Sequence, residues 1–179
     1  MSETLSVTEA ALLPIRLYPD PVLRKTARLV TAADADDVRQ LVPALFATMY
    51  HAPGIGLAAT QVGNLLRVMV VDVTGKDEPP APITLINPEI IARSEETATQ
   101  QEGCLSIPDQ YADVTRPARV KMRYQDLHGA KQEIEADGLL AACLQHELDH
   151  LNGVLFVDYL SALKRNMLLR KMAKSLKAR

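Results

Sequence analysis

The segment His146-Glu147-Leu148-Asp149-His150 constrains this chain more than any other part of its sequence. Two histidines four residues apart lie on the same face of an α-helix, at a spacing that allows both imidazoles to bind one metal ion. A glutamate beside the first histidine can accept and return protons during hydrolysis. The segment therefore requires a helix, and it makes metal-dependent hydrolysis the first hypothesis for function.

The residues around these histidines favour a helix from about Asp137 to Asn152. Asp137 is a typical N-cap, and Gly153 suits the left-handed position after a helix. Four leucines recur at helical spacing and predict a buried stripe, namely Leu140, Leu144, Leu148 and Leu151. The histidines lie on the neighbouring face, so the predicted site borders the apolar core.

Two histidines do not complete a catalytic metal site, which usually takes three protein ligands and leaves one position open. No histidine follows His150, and Asp158, the only later acidic residue, lies in an apolar stretch that looks structural. The third ligand is therefore sought upstream, and Cys104 is the candidate, because the glycine before it permits close backbone approach. The segment around Cys104 is interpreted as an extended turn that ends at Pro108. The alternative for Cys104 is a small buried apolar side chain, which fits Cys143 better; Cys143 lies within the predicted helix and is expected to line the site wall.

A glycine-rich segment, residues 53–63, forms a second cluster. It lacks the Gly-Lys-Ser/Thr ending of a phosphate-binding loop and the third spaced glycine of a dinucleotide site. The favoured interpretation is backbone that passes close to a small ligand, with Gln61 as a fixed amide donor. The alternative is a plain turn between a helix and a strand.

Three segments together resemble the signatures of the peptide deformylase family and stand in the family's order. They are Gly54-Ile55-Gly56-Leu57-Ala58-Ala59-Thr60-Gln61, Glu102-Gly103-Cys104-Leu105-Ser106 and His146-Glu147-Leu148-Asp149-His150. The opening Tyr18-Pro19-Asp20-Pro21-Val22-Leu23-Arg24 also looks like the family's N-terminal segment. The resemblance covers roughly residues 14–165. Tyr111 departs from it, because many bacterial members have arginine there, and this leaves the peptide contacts beyond methionine open.

The resemblance implies a metal-dependent hydrolase that removes the formyl group from the N-terminal formylmethionine of nascent polypeptides, a processing step of protein biosynthesis. The implied metal ligands are Cys104, His146 and His150. Fe²⁺ is the native ion in many members, and Zn²⁺, Ni²⁺ or Co²⁺ can occupy the same site. Glu147 is implied as general base and acid, and Gln61 and the backbone N–H of Leu105 as the donors to the developing oxyanion.

Apolar residues near the ligands in the chain predict the walls of a pocket for the methionine side chain. They are Ile55, Leu139, Ala142 and Cys143. Ordinary core packing is the alternative for each of them. The backbone from Gly54 to Gly56 and at Gly103 is expected to pair with an extended peptide as an added strand.

The rest of the chain indicates an α+β fold, in which antiparallel sheets pack around a central metal-site helix and a C-terminal helix follows. Hydrophobic periodicity predicts a helix at 33–51 and strands at 66–73, 83–87, 118–124 and 132–136. The expected organisation is a flexible tail over 1–13, one catalytic domain over 14–160 and a basic helix over 161–179.

The net charge and the hydropathy of the chain limit the classes of partner that it is expected to bind. A net charge of −2 argues against wholesale nucleic-acid binding, and no stretch approaches the ~20 apolar residues of a membrane span, so neither DNA nor a membrane is expected as a partner. No charged region followed by an apolar run opens the chain, which favours a cytoplasmic location. Residues 161–179 carry seven basic residues and no acid. Together with the resemblance to bacterial members, this predicts contact with ribosomal RNA.

The alternative for this tail is a solvated terminal helix. Four of its apolar residues predict a stripe along one face, namely Leu163, Met167, Leu168 and Met172.

Two other kinds of protein would contain some of these motif residues. A zincin-type peptidase contains His-Glu-x-x-His but takes its third ligand from a downstream His or Glu, and this chain offers neither. A metal-binding module without catalysis needs neither Glu147 nor Gln61. Deformylation is therefore the favoured function.

Overall fold

The computed structural model describes residues 10–179, so most of the predicted N-terminal tail lies outside the described residues. The three helices of this part are α1 (Ala35–His51), α2 (Gly138–Leu151) and α3 (Ala162–Lys177). The strands are β1 (Gly56–Ala58), β2 (Val68–Val71), β3 (Ile83–Arg93), β4 (Thr97–Cys104), β5 (Ile107–Pro117), β6 (Val120–Gln125) and β7 (Lys131–Ala136). Short 3₁₀ turns connect several of them, among them Ala59–Val62 and Phe156–Tyr159.

The strands form two antiparallel sheets. Five strands pair in the order β1-β2-β3-β6-β7, and β4 pairs with β5 as a separate hairpin. Helix α2 lies against the five-stranded sheet, where Leu144 and Leu151 are fully buried in one cluster with Met69, Leu85 and Met122. The predicted α+β architecture around a central helix is therefore confirmed.

The ends of α2 are where the sequence predicts them. Asp137 is the N-cap, and Gly153 follows the helix with a φ of +75°. A Cβ at Gly153 would lie 2.5 Å from the backbone oxygen of Arg24. Glycine is needed there both for the left-handed conformation and for this close approach.

The hairpin β4–β5 was not predicted. Cys104 is the last residue of β4, whereas the sequence suggested an extended turn around it. The hairpin strands carry many polar residues, and their buried positions include charged side chains such as Glu102 and Arg116. Strands of this composition lack the alternation of apolar and polar residues by which a strand is recognised in a sequence.

Helix α3 packs on the domain, but not with the whole predicted stripe. Leu168 and Met172 are buried in a cluster that includes Ile107, whereas Leu163 and Met167 are 71% and 51% exposed. The stripe prediction was therefore wrong for Leu163 and Met167. Within residues 10–179, no helix has the length and apolar character needed to cross a bilayer.

Candidate metal centre

The three predicted ligands come together from two elements. His146 and His150 project from adjacent turns of α2, and Cys104 reaches them from the end of β4. The Nε2 atoms of the two histidines are 3.2 Å apart, and Cys104 Sγ is 3.2 Å from His150 Nε2. One ligand atom from each residue lies within 4.8 Å of the other two.

This donor set fits a divalent transition metal. Burial lowers the pKa of His150 well below its ordinary value, which keeps the imidazole neutral, as a metal ligand must be. Its other ring nitrogen, Nδ1, has no hydrogen-bond partner among the described residues. Two imidazoles and one thiolate form a site that Fe²⁺, Co²⁺, Ni²⁺ and Zn²⁺ all accept.

A buried carboxylate fixes the orientation of His146. Glu102 Oε1 lies 2.9 Å from His146 Nδ1, and Arg116 binds both oxygens of Glu102 at 2.7 and 2.9 Å. Burial raises the pKa of Glu102, but the hydrogen bonds from Arg116 and His146 and the charges of these two partners together outweigh burial and hold the pKa below the ordinary value. Burial lowers the pKa of His146, but its hydrogen bonds to Cys104 and Glu102 outweigh burial and raise the pKa well above its ordinary value, so a metal at this ring displaces a proton. Because Nδ1 donates to the ionised Glu102, Nε2 is the ring atom that is left for the metal.

Sequence reasoning gave Glu102 no role and did not single out Arg116. The only signal for Glu102 was its place two residues before Cys104 within a recognised motif. Arg116 lies in a strand without any motif, 14 residues along the chain from its partner Glu102.

Glu147 is the buried carboxylate beside the ligands. Burial raises its pKa to about 7, and Oε2 has no hydrogen-bond partner among the described residues. A Cβ at Gly56 would lie 2.7 Å from Glu147 Oε1 and 2.9 Å from Cys143 Sγ. The glycine of β1 therefore leaves the room that Glu147 occupies.

Gln61 lies beside Cys104, in the turn Ala59–Val62. Its side-chain oxygen accepts a hydrogen bond from the Ala58 N–H at 3.0 Å. Its amide nitrogen donates to Ser106 Oγ at 3.1 Å and lies 3.6 Å from Cys104 Sγ. The buried amide thus has one orientation, with its donor toward the metal ligands, and Leu105 follows Cys104 in the turn between β4 and β5.

An open cleft of about 560 Å³ leads to these groups. All five residues predicted to bind substrate line it, namely Ile55, Gly56, Gly103, Leu139 and Cys143. Ile55 and Leu139 are 41% and 48% exposed, whereas Cys143 is buried. Sequence reasoning missed several other lining residues, among them Ile15, Leu17, Gln100 and Arg179.

The two cysteines have different environments. Cys143 Sγ lies 3.7 Å from the backbone oxygen of Ile55. Burial raises the pKa of the Cys143 thiol well above its ordinary value, because Glu147 and Glu102 add to the cost of a thiolate there. Cys143 is therefore a neutral wall of the cleft, and Cys104 is the cysteine next to the histidines.

Tyr111 covers one edge of the cleft. A Cβ at Gly103 would lie 2.6 Å from the Tyr111 ring, so the ring rests directly on the glycine backbone. The ring is otherwise open to solvent, because 63% of the residue is exposed.

Comparisons with known proteins agree with one another. The family model for polypeptide deformylase matches residues 12–166. The peptide deformylase of Mesorhizobium japonicum is 53% identical over 161 residues, which cover 90% of this chain and 91% of that protein. The crystal structure of a peptide deformylase from Legionella pneumophila matches with a TM-score of 0.87 and 44% identity, over 94% of this chain and 99% of that one. A peptide deformylase from Synechococcus elongatus, solved in complex with actinonin, also matches with a TM-score of 0.87 and 44% identity, over 97% of this chain and 95% of that one.

Proposed function

This chain belongs to the polypeptide deformylase family, whose members are metal-dependent hydrolases, and from that premise we propose how its own residues perform the reaction. Its function is to remove the formyl group from the N-terminus of nascent peptides. The observation that carries our residue assignments is the convergence of Cys104, His146 and His150 beside the buried carboxylate of Glu147.

Cys104, His146 and His150 hold one divalent ion in this proposal. A divalent ion with one thiolate and two neutral imidazoles has a net charge of about +1, and it supplies Lewis acidity toward the formyl oxygen and lowers the pKa of water toward neutrality. Fe²⁺ is proposed as the native ion, and Zn²⁺, Ni²⁺ or Co²⁺ as substitutes. Glu102 keeps His146 in the tautomer that this binding needs, because it accepts the Nδ1 proton.

Glu147 moves the proton. It accepts one from the attacking water as the oxygen bonds to the formyl carbon, and it returns that proton to the peptide nitrogen as the carbon–nitrogen bond breaks. The products are formate and a free N-terminal amine. A carboxyl pKa of about 7 suits both halves of this transfer near neutral pH.

Gln61 and the backbone N–H of Leu105 stabilise the negative charge that develops on the formyl oxygen. The support for Gln61 is its orientation, because the bond from Ala58 N–H prevents the amide from turning its oxygen toward the site. The loss of one such donor typically costs about 2.7–4 kcal/mol of transition-state stabilisation. Ile55, Leu139 and Cys143 form the pocket for the methionine side chain, and the backbone at Gly56 and Gly103 pairs with the peptide.

The test of this assignment uses a short formyl-methionyl peptide and the matched acetyl-methionyl peptide. Metal-loaded protein should release formate from the first and leave the second nearly unchanged, because the extra methyl group makes an acetyl carbonyl bulkier and less electrophilic than a formyl carbonyl. Cleavage of an internal peptide bond in either substrate would favour the zincin alternative. Bound metal without formate release would favour a binding module.

The basic surface of α3 is proposed to contact ribosomal RNA in the cytoplasm. Deletion of 161–179 is not a clean test, because Leu168 and Met172 are buried in the domain. Three exposed lysines of α3 can instead be replaced together, as Lys164→Gln, Lys171→Gln and Lys174→Gln. A matched control replaces three exposed lysines elsewhere, as Lys25→Gln, Lys76→Gln and Lys131→Gln.

Co-sedimentation with ribosomes at 50 and 200 mM salt compares these two triple variants. With two or three phosphate contacts, wild-type association should fall about tenfold or more over this range, because counterions are released on binding. The α3 variant should bind more weakly than the control at low salt. Equal, salt-insensitive sedimentation of both variants would contradict ribosome contact through α3.

A further inference from the structure

A chain of polar contacts connects the metal ligand His146 with the surface of the protein. Beyond Glu102, the Arg116 guanidinium also donates to Asp149 Oδ2 at 2.9 Å. The Tyr159 hydroxyl donates to the same oxygen at 2.7 Å. The Tyr159 ring lies over the guanidinium, with its centroid 4.7 Å from Arg116 Cζ. Tyr159 belongs to the stretch after α2 that the sequence suggested was only structural.

We propose that Arg116, clamped by Asp149 and Tyr159, is a positioning residue that sets the metal affinity of the centre through Glu102. The inference rests on the metal centre proposed above and extends it to residues that contact neither metal nor substrate. Its basis is that one buried guanidinium uses three of its nitrogens on two carboxylates, which leaves Glu102 a single orientation toward His146.

The geometry explains why an arginine is used here. The Arg116 side chain is only 5% exposed, and it bridges β5 to both β4 and α2. A planar guanidinium binds a carboxylate with two parallel bonds and still offers a third donor, which a lysine ammonium cannot reproduce in this arrangement. The pairing with Arg116 therefore fixes the orientation of the Glu102 carboxylate as well as balancing its charge.

The charges of the cluster also suit a cation at the ligands. Glu102 and Asp149 carry two negative charges and Arg116 one positive charge, so the cluster has a net charge of −1. The metal with its thiolate carries about +1. A buried centre of this kind is stabilised by a neighbouring group of opposite charge, because the interior screens charges weakly.

Tyr159 is the most exposed member of the clamp, by which we mean Arg116 together with Asp149 and Tyr159. It is half exposed, but its ring and hydroxyl cover the side of Arg116 and Asp149 that faces solvent. The loss of the hydroxyl alone should allow Asp149 to rotate and loosen Arg116 without a cavity. Tyr159→Phe is therefore the mild variant, and Arg116→Lys is the strong one.

The chain provides a matched control for each variant. Tyr50 is also partly exposed and donates its hydroxyl to an aspartate, Asp72, at 2.6 Å, but it does not line the cleft. Arg28 also binds a carboxylate with two nitrogens, that of Asp34, at 2.8 and 2.9 Å. Tyr50→Phe and Arg28→Lys remove comparable bonds outside the proposed clamp.

The experiment measures Co²⁺ binding to metal-free protein by chelator competition, together with the visible spectrum of the Co²⁺ protein and the thermal unfolding midpoint. Arg116→Lys should weaken Co²⁺ binding about 10- to 100-fold and change the spectrum, as losses of groups behind metal ligands typically do. Tyr159→Phe should weaken binding about threefold in the same direction. Both controls should bind within about twofold of wild type, even where their unfolding midpoints fall.

A lower unfolding midpoint with unchanged affinity and spectrum in Arg116→Lys and Tyr159→Phe would overturn the proposal, because a purely structural network acts that way. If Arg116→Lys does not fold, Tyr159→Phe against Tyr50→Phe decides the question alone. A wild-type protein that binds no Co²⁺ would instead overturn the metal centre itself and the clamp with it.

Discussion

Helix α2 is held by two different kinds of contact on its two sides. Toward the five-stranded sheet, Leu144 and Leu151 pack in a wholly apolar cluster with side chains of β2, β3 and β6. Toward the hairpin β4–β5, the helix is joined by ion pairs and hydrogen bonds, through Asp149 to Arg116 and through His146 to Glu102. The sheet side of α2 is therefore held by apolar packing, and its hairpin side is held by ion pairs and hydrogen bonds.

The difference separates stability from chemistry. Apolar burial is non-directional and contributes most of the free energy of folding. Ion pairs contribute less net stability, because desolvation opposes them, but they fix orientation. We therefore expect substitutions on the sheet side to change the free energy of unfolding, and substitutions toward the hairpin and cleft to change metal binding or turnover.

The largest expected effect is that of Glu147→Gln, which should lower turnover about 10⁴-fold, since a glutamine cannot accept the water proton. Bound metal should remain near one ion per chain, and the unfolding midpoint should not fall, because the native carboxylate is buried with an unpartnered oxygen. Formate release and metal content are measured on the same sample. Turnover near the wild-type rate would remove Glu147 from the mechanism.

Cys104→Ala should come next and lower metal affinity about 10³-fold, more than the 10- to 100-fold typical of a group behind a ligand. Cys143→Ala is the matched control and should keep metal affinity, because that thiol is neutral and turned toward Ile55. Chelator competition compares the two variants. Equal losses would mean that the wrong thiol has been assigned, or that both bind.

Leu144→Ala tests the sheet side and should lower the free energy of unfolding by about 3 kcal/mol, since it leaves a cavity among fully buried side chains. The fraction that stays folded should bind metal as the wild type does. Denaturant titration of the metal-free protein gives the first quantity, and Co²⁺ titration gives the second. A large loss of metal affinity in the folded fraction would break the separation between the two sides.

The smallest effect belongs to Leu139→Ala at the mouth of the cleft. Its side chain is about half exposed, so truncation should change the free energy of unfolding by less than about 1 kcal/mol. The KM for a formyl-methionyl peptide should rise less than tenfold while kcat is kept, because only part of the methionine contact is lost. An unchanged KM would remove Leu139 from the methionine pocket.

The features that the sequence predicts are those that depend on local signals, and the features that it misses depend on contacts between distant segments. Helix α2, its caps and both histidines were predictable, because helical periodicity and capping are local signals. The clamp was not, because Arg116 meets Glu102 and Asp149 only after β4 and β5 pair and pack on α2. Long-range ion pairs leave no local pattern.

Helix α3 illustrates a different limit. Leu163 and Met167 form one pair at helical spacing, and Leu168 and Met172 form another. With 3.6 residues per turn, the two pairs are separated by about 140° around the helix. Both cannot face one surface, and the structure buries only the second pair.

The position of Tyr111 has a consequence for inhibitor selectivity. Compounds that extend along β4 past Gly103 meet the aromatic ring of Tyr111 here. A cationic tail can lie on the face of that ring, whereas an arginine at this position would repel it. A carboxylate tail has the opposite preference. The rim of the cleft, away from the metal ligands, is thus where a compound can distinguish this enzyme from one that has an arginine at this position.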